Sequence, residues 1–213
     1  MNETRMSARR LILASASPRR HEILLTAGLS HEVRPAHADE TLAPDISPAE
    51  AVEMLSARKA AAGLLGAEKT DIILAADTVV SLHGKILGKP KNEEDARRML
   101  CALSGTTHAV YTGITITDGV TTVSEHEKTI VSMRVILPEE MDAYIASGDP
   151  MDKAGAYGIQ SLAGIFVDGL QGDYFNVVGL PLCRTARILR DSFGFTPQWQ
   201  NQHDITLERK SAL

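Results

Sequence analysis

The chain has 213 residues, 44% apolar and 23% charged, with a formal net charge of −5. That length holds one sizeable core or two small lobes sharing a cleft, and the composition excludes a disordered chain. The negative balance argues against an extended basic face for nucleic acid, so any phosphate site must be a local cluster of Lys and Arg.

In chain order, residues 10 to 14 read as a short buried strand and 18 to 27 as a helix stopped by Gly28. "SPAE" at 47 to 50 starts a second helix, with Ser47 as cap, Pro48 in the first turn and Glu50 completing a capping box. It should run to about Gly63 or Gly66. "IILAA" (72 to 76) is a buried strand continuing through "DTVVSL", and "HGK" (83 to 85) turns it into a short partner. Asn92 and the acids after it open a helix carrying Ala96, Met99, Leu100 and Leu103 on one face and closed by Gly105. Two long runs rich in Thr, Val and Ile, 106 to 117 and 120 to 136, are joined by Asp118-Gly119, a strong hairpin signal. Pro138 starts a helix that Gly148 ends. A glycine-rich stretch then precedes a last helix from Pro181 to about Phe193. Alternating helices and strands with one long hairpin point to an α/β fold with a mixed sheet. No repeat or linker divides the chain, so a single domain over 1–213 is expected, with 1–9 and 197–213 as loose tails.

No apolar run reaches the length of a membrane span, and the one after "MNETRMSARR" is too short for a signal peptide. A cytoplasmic protein with no membrane or nucleic-acid partner is expected. Cys101 and Cys183 lack the spacing of a zinc site and are expected to be buried packing thiols in helices.

Three positions stand out. With Ser17 as cap and Pro18 in the first turn, Arg19 and Arg20 occupy the positive end of a helix dipole, where each costs about 0.3–1 kcal/mol unless an anion binds there. Ser15 and Ser17 would add hydroxyl donors to such a phosphate cradle; the plain alternative is solvation or pairing with Glu22. In the second helix Lys59 follows Val52, Leu55 and Ser56 at helical spacing, so it lies on the inward face and must snorkel, pair or meet a ligand. Asp77 ends a buried strand, where α/β folds commonly place catalytic groups, and Thr78 follows it. Lys85, Lys89 and Lys91 come soon after. Asp39 and Glu40 supply further carboxylates of the kind that hold a hard divalent cation beside phosphate. There is no Walker loop and no dinucleotide fingerprint.

"LASASPRRHEILLTAG", "AADTVV", "GKPKNEEDARRMLCALSGTTHAVYTGI" and "DKAGAYGIQ…GDYFNVVGLPL" together resemble the Maf family of nucleoside triphosphate pyrophosphatases, from about residue 11 to 182. The resemblance implies a fold like that of the inosine triphosphatases, with a long mixed sheet and two lobes around a central cleft. It also implies hydrolysis of a nucleoside triphosphate to monophosphate and pyrophosphate, assisted by a divalent metal (Mg or Mn), in a homodimer. Arg19, Thr78 and Gln160 match the branch acting on dTTP and UTP. Asp77 would be the proton acceptor. Arg20, Lys59 and Lys89 would contact phosphates, Ser15 would line their cradle, and Glu40 would help Asp77 with the metal. Ser161 stands where the family has Gly, and Asp173 where it has a small residue. The alternatives are a 7-methyl-GTP pyrophosphatase, or a nucleotide-binding regulator of cell division that does not hydrolyse.

Overall fold

The computed structural model describes residues 9–197. The expected tails lie outside the described residues except at their inner ends. There the Arg9 guanidinium donates to the Phe193 carbonyl at 3.0 Å and pairs with Asp118.

Seven strands form one mixed sheet: β1 (Arg10–Leu13), β2 (Glu32–Val33), β3 (Asp71–Leu82), β4 (Lys85–Leu87), β5 (Thr107–Thr117), β6 (Thr122–Met133) and β7 (Val167–Gln171). Their order is β2-β1-β3-β5-β6-β7, with β4 on β3. β1 is parallel to β2 and β3, and every other pairing is antiparallel. Parallel strands covered on both faces need continuous apolar side chains, which is why "LIL" and "IILAA" show no alternation. The helices are α1 (Pro18–Thr26), α2 (Pro48–Gly63), α3 (Glu93–Leu103), α4 (Pro138–Ala146), α5 (Tyr174–Val178) and α6 (Leu182–Phe193).

Local chemistry sets most boundaries. The capping box of α2 is formed, with the Ser47 hydroxyl accepting from the Glu50 amide and the Glu50 carboxylate accepting from the Ser47 amide. The β3–β4 turn puts His83 and Gly84 at φ 50° and 81°, the left-handed pair that a two-residue hairpin requires. The β5–β6 hairpin turns at Asp118, whose carboxylate takes the amides of Val120 and Thr121 at 3.1 and 2.8 Å. Those amides are thereby held in the turn, so β6 begins at Thr122 rather than at 120.

Both cysteines lie on helices, as expected, but are exposed rather than buried. The inward stripe of α3 is taken by Ala96, Met99, Leu100 and Leu103, and that of α6 by Thr185, Ile188, Leu189 and Phe193. Cys101 and Cys183 fall off both stripes.

One strand organises the two lobes. Ile72, Leu74 and Ala76 of β3 pack with α1 and α6 through Ile23, Leu24, Ile188 and Leu189. Farther along the same strand, Val80 joins a second core with Leu100, Val110, Met141 and Tyr144. On the opposite face, Ile73 and Ala75 receive α2 through Ala60. Between the two cores, β3 is only half-buried at Asp77 and Thr78.

Candidate active site

Successive strand residues face opposite sides of a sheet. Asp77 therefore shares the α2 side with Ile73 and Ala75, while Thr78 shares the α1 side with Leu74 and Ala76. Each meets a cation from its own side.

On the α2 side, Lys59 Nζ donates to Asp77 Oδ1 at 2.5 Å and lies 2.8 Å from Glu40 Oε1. Lys59 is thus inward, as its spacing implies, but it pairs rather than snorkels. Its side chain and that of Asp77 are only 16% and 14% exposed, so the pair is largely out of water, whereas Glu40 is 66% exposed. The Lys59 hydrogen bond and charge, with Lys89 contributing less, hold the Glu40 carboxyl below its usual range. This geometry depends on how low α2 lies on the sheet. Gly113, paired with Asp77 across β3 and β5, leaves no side chain in the way: a Cβ there would sit 2.2 Å from the Val52 carbonyl oxygen. Ser56 then reaches Thr115 at 2.9 Å, and Lys59, one turn on, reaches Asp77.

On the α1 side, Arg20 folds inward instead of into solvent or toward Glu22. Its Nε donates to the Gly179 carbonyl at 2.8 Å, Nη1 to Ser15 Oγ at 3.0 Å and Nη2 to Thr78 Oγ1 at 3.1 Å. All three acceptors are neutral. Burial lowers the guanidinium's pKa, and the charge of Asp77 works the other way. Arg19 turns across the cleft to within 4.0 Å of Asp152. Ser17 occupies the cap position of α1, yet its side chain caps nothing and the first turn holds no acid. The positive helix end keeps amide donors and a hydroxyl for an incoming anion.

These groups line a cleft of about 990 Å³, which also takes in Lys89 and Gln160. The residues that the family resemblance implies for the site are therefore brought to one place, whereas Asp39, 3.8 Å from Arg58, and Lys85 and Lys91 do not line the cleft. Lys89 is exposed and forms no ion pair among the described residues, and the Gln160 side chain makes no hydrogen bond among them. The sequence reading missed the far wall. There Lys153 Nζ donates to the Asp149 carbonyl at 2.5 Å and pairs with Asp152 at 2.7 Å, while the Ser161 hydroxyl donates to Asp149 at 2.6 Å. The Asp–Lys spacing in "GDPMDK" is a helical pairing signal, but the segment is a short 3₁₀ turn and has no apolar periodicity to mark it. Counting this wall, the cleft carries five basic and five acidic side chains, so it is not the net positive site its basic motifs suggest.

Among the described residues, no group of three or more His, Cys, Asp or Glu side chains could hold a metal. Glu40 and Asp77 nevertheless converge on one ammonium. Two carboxylates at a cleft suit a hard divalent cation when phosphate oxygens and water complete its shell.

A cleft of balanced charge between two lobes of a mixed sheet, with a carboxylate–ammonium pair on one side and, on the other, a guanidinium that has no acid partner among the described residues, defines the class: an α/β protein with opposed charged groups gathered at one cleft. Comparison with known proteins gives the class its family: residues 10–192 match the family described as Maf-like protein, and the chain belongs to it. It is 46% identical over 189 residues to a dTTP/UTP pyrophosphatase of Moorella thermoacetica, covering 84% of this chain and 93% of that one. Proteins of the same description from Bacillus cereus and Bacillus pumilus are 48% and 44% identical, over 85% and 88% of this chain and 95% and 98% of their own lengths. No helix among the described residues is long and apolar enough to cross a membrane.

Proposed function

We propose that this chain hydrolyses dTTP and UTP to the monophosphate and pyrophosphate, with Asp77 as the proton acceptor. The observation that carries the reading is that the Lys59–Asp77 pair and Arg20, held on opposite sides of β3, line one cleft, in a chain nearly half identical to proteins described as dTTP/UTP pyrophosphatases.

Arg20, with Ser15 and the free first turn of α1, takes phosphate oxygens from one side, and Lys89 takes them from the other. Lys59 has three protons and gives two to Glu40 and Asp77, so its third is available to the substrate. As a phosphate draws this ammonium, Asp77 becomes free to accept a proton from the attacking water. The water oxygen bonds to the α-phosphorus, and the bond from that phosphorus to the α–β bridging oxygen breaks. The electron pair leaves on pyrophosphate, whose charge the basic side chains stabilise. Glu40 and Asp77 would hold Mg²⁺ or Mn²⁺, which supplies charge neutralisation and a more acidic water when bound. A cleft with balanced charge supports that requirement, since alone it offers a triphosphate no net attraction. Gln160, able to donate and accept, suits the imide edge of uracil or thymine. The homodimer is part of the same proposal: β7 is a sheet edge, and Leu162 and Ile165 in the turn leading to it, with Val135 in the segment after β6, are exposed. Sedimentation velocity reads it directly.

The test is pyrophosphate release from dTTP, UTP, CTP, GTP, ATP and 7-methyl-GTP with Mg²⁺ or Mn²⁺ and after chelation. Turnover concentrated on dTTP and UTP, lost on chelation and lost in Asp77→Asn with nucleotide binding retained, is the expected result. Turnover only of 7-methyl-GTP, or binding without any turnover, refutes it in favour of the corresponding alternative.

A further inference from the structure

We propose that Thr112 is a positioning residue: it sets the direction of a buried hydroxyl relay that holds Arg20 for phosphate. This rests on the reading that Arg20 binds the substrate's phosphates. Thr112 lies on β5 opposite Thr78, is wholly buried and does not line the cleft.

Proton counting gives the direction. Thr112 Oγ1 donates to the Asn176 carbonyl at 2.9 Å, and its only proton is spent there because a carbonyl cannot donate. The 2.9 Å bond between Thr112 and Thr78 must then be donated by Thr78. Thr78 consequently turns lone pairs, not a proton, toward Arg20 Nη2. Without the carbonyl at the end, the Thr112 proton could point at Thr78, and the Thr78 proton would meet the guanidinium head-on.

That terminal carbonyl is itself held. The Asn176 side chain fixes its residue in place, its Nδ2 donating to the Val110 carbonyl at 3.0 Å and to Thr129 Oγ1 at 2.9 Å. Thr129 exchanges hydrogen bonds with the backbone of Asp173, whose carboxylate caps the Phe175 amide at the start of α5. The same short helix ends at Gly179, whose carbonyl takes Arg20 Nε directly. One five-residue turn thus anchors the guanidinium at two of its nitrogens, through Gly179 and through Asn176–Thr112–Thr78. Thr78, which lines the cleft, can then meet a substrate only as an acceptor or through its methyl group, since its only proton is already committed.

The experiment titrates inorganic tripolyphosphate into Thr112→Val and Thr112→Ser by calorimetry, alongside UTP kinetics and thermal melts. Thr112→Val should weaken tripolyphosphate binding about tenfold and raise KM for UTP alike, with kcat changed much less. Thr112→Ser should restore both, and in an Arg20→Lys background Thr112→Val should have no further effect. Wild-type binding by a stably folded Thr112→Val, or the same loss with and without Arg20, overturns the proposal. If Thr112→Val does not fold, Thr78→Val replaces it with the same expectation and the same refutation. A wild-type protein that binds tripolyphosphate but hydrolyses neither dTTP nor UTP defeats the proposed function and leaves the relay to be judged by binding. Wild-type protein that binds no tripolyphosphate overturns both.

Discussion

Replacing Gly113 by Ala should damage the cleft without touching any side chain in it. The added Cβ would lie 2.2 Å from the Val52 carbonyl oxygen, 2.4 Å from its carbon and 2.8 Å from the Glu53 nitrogen. All three are backbone atoms inside α2, so no rotamer change relieves the clash, and the helix must lift by about 1 Å to reach ordinary contact. The strain should cost about 1–3 kcal/mol. Two turns farther along α2 stands Lys59, whose 2.5 Å bond to Asp77 does not survive a lift of that size unchanged. A misplacement of about 1 Å among reacting groups can lower turnover about a hundredfold. Urea denaturation followed by circular dichroism measures the first effect, and pyrophosphate release from UTP at saturating metal measures the second. Gly113→Ala with wild-type stability and wild-type turnover would refute the claim that this backbone approach sets the Lys59–Asp77 geometry.

Three further outcomes are expected. Burial without a charge partner pushes the His108 imidazole down to about 4; both states are neutral above about pH 6.5, and below it the unfolded chain gains a proton the folded one refuses. Stability should therefore fall as pH drops from about 6.5 to 4, by up to about 3 kcal/mol, and parallel unfolding free energies for wild type and His108→Gln across that range would count against it. Ser47→Ala removes one half of the α2 capping box and should cost about 1 kcal/mol in urea denaturation, and an unchanged midpoint would discredit the cap's contribution. Cys101 and Cys183 should both react with a thiol reagent in the native protein, so a count of free thiols that rises only on unfolding would contradict their exposure.

Much of this architecture could be read before any coordinates because the relevant signals are local. The capping box starts α2, the Asp118-Gly119 pair turns the long hairpin, and Ser17-Pro18 marks the start of α1 beside the two misplaced arginines; each depends on residues within one turn of chain. Lys59 and Asp77 were each recognisable as anomalies, yet their partnership was not, since it depends on Gly113 letting a helix settle on a strand far away in sequence. The elements that escaped are short and defined by their neighbours. β2 has two residues, α5 has five, and β7 exists only by pairing with β6. Lys153 was missed for the same reason: its carboxylate partners identify it, and its own segment has no period.

The half-buried step in β3 has an evolutionary corollary. Asp77 and Thr78 are neighbours in the chain but serve opposite sides of the sheet, so their roles are assigned by parity alone. With the upstream register kept, deleting one residue between Ile72 and Ala76 would present the carboxylate to the Arg20 side and the hydroxyl to the Lys59 side, and would turn Val80 out of the core it shares with Leu100 and Val110. Substitutions along this strand can be tested singly by selection; changes of length cannot. The strand's length upstream of Asp77 should therefore be its least negotiable property, less so than the identity of any one apolar residue within it.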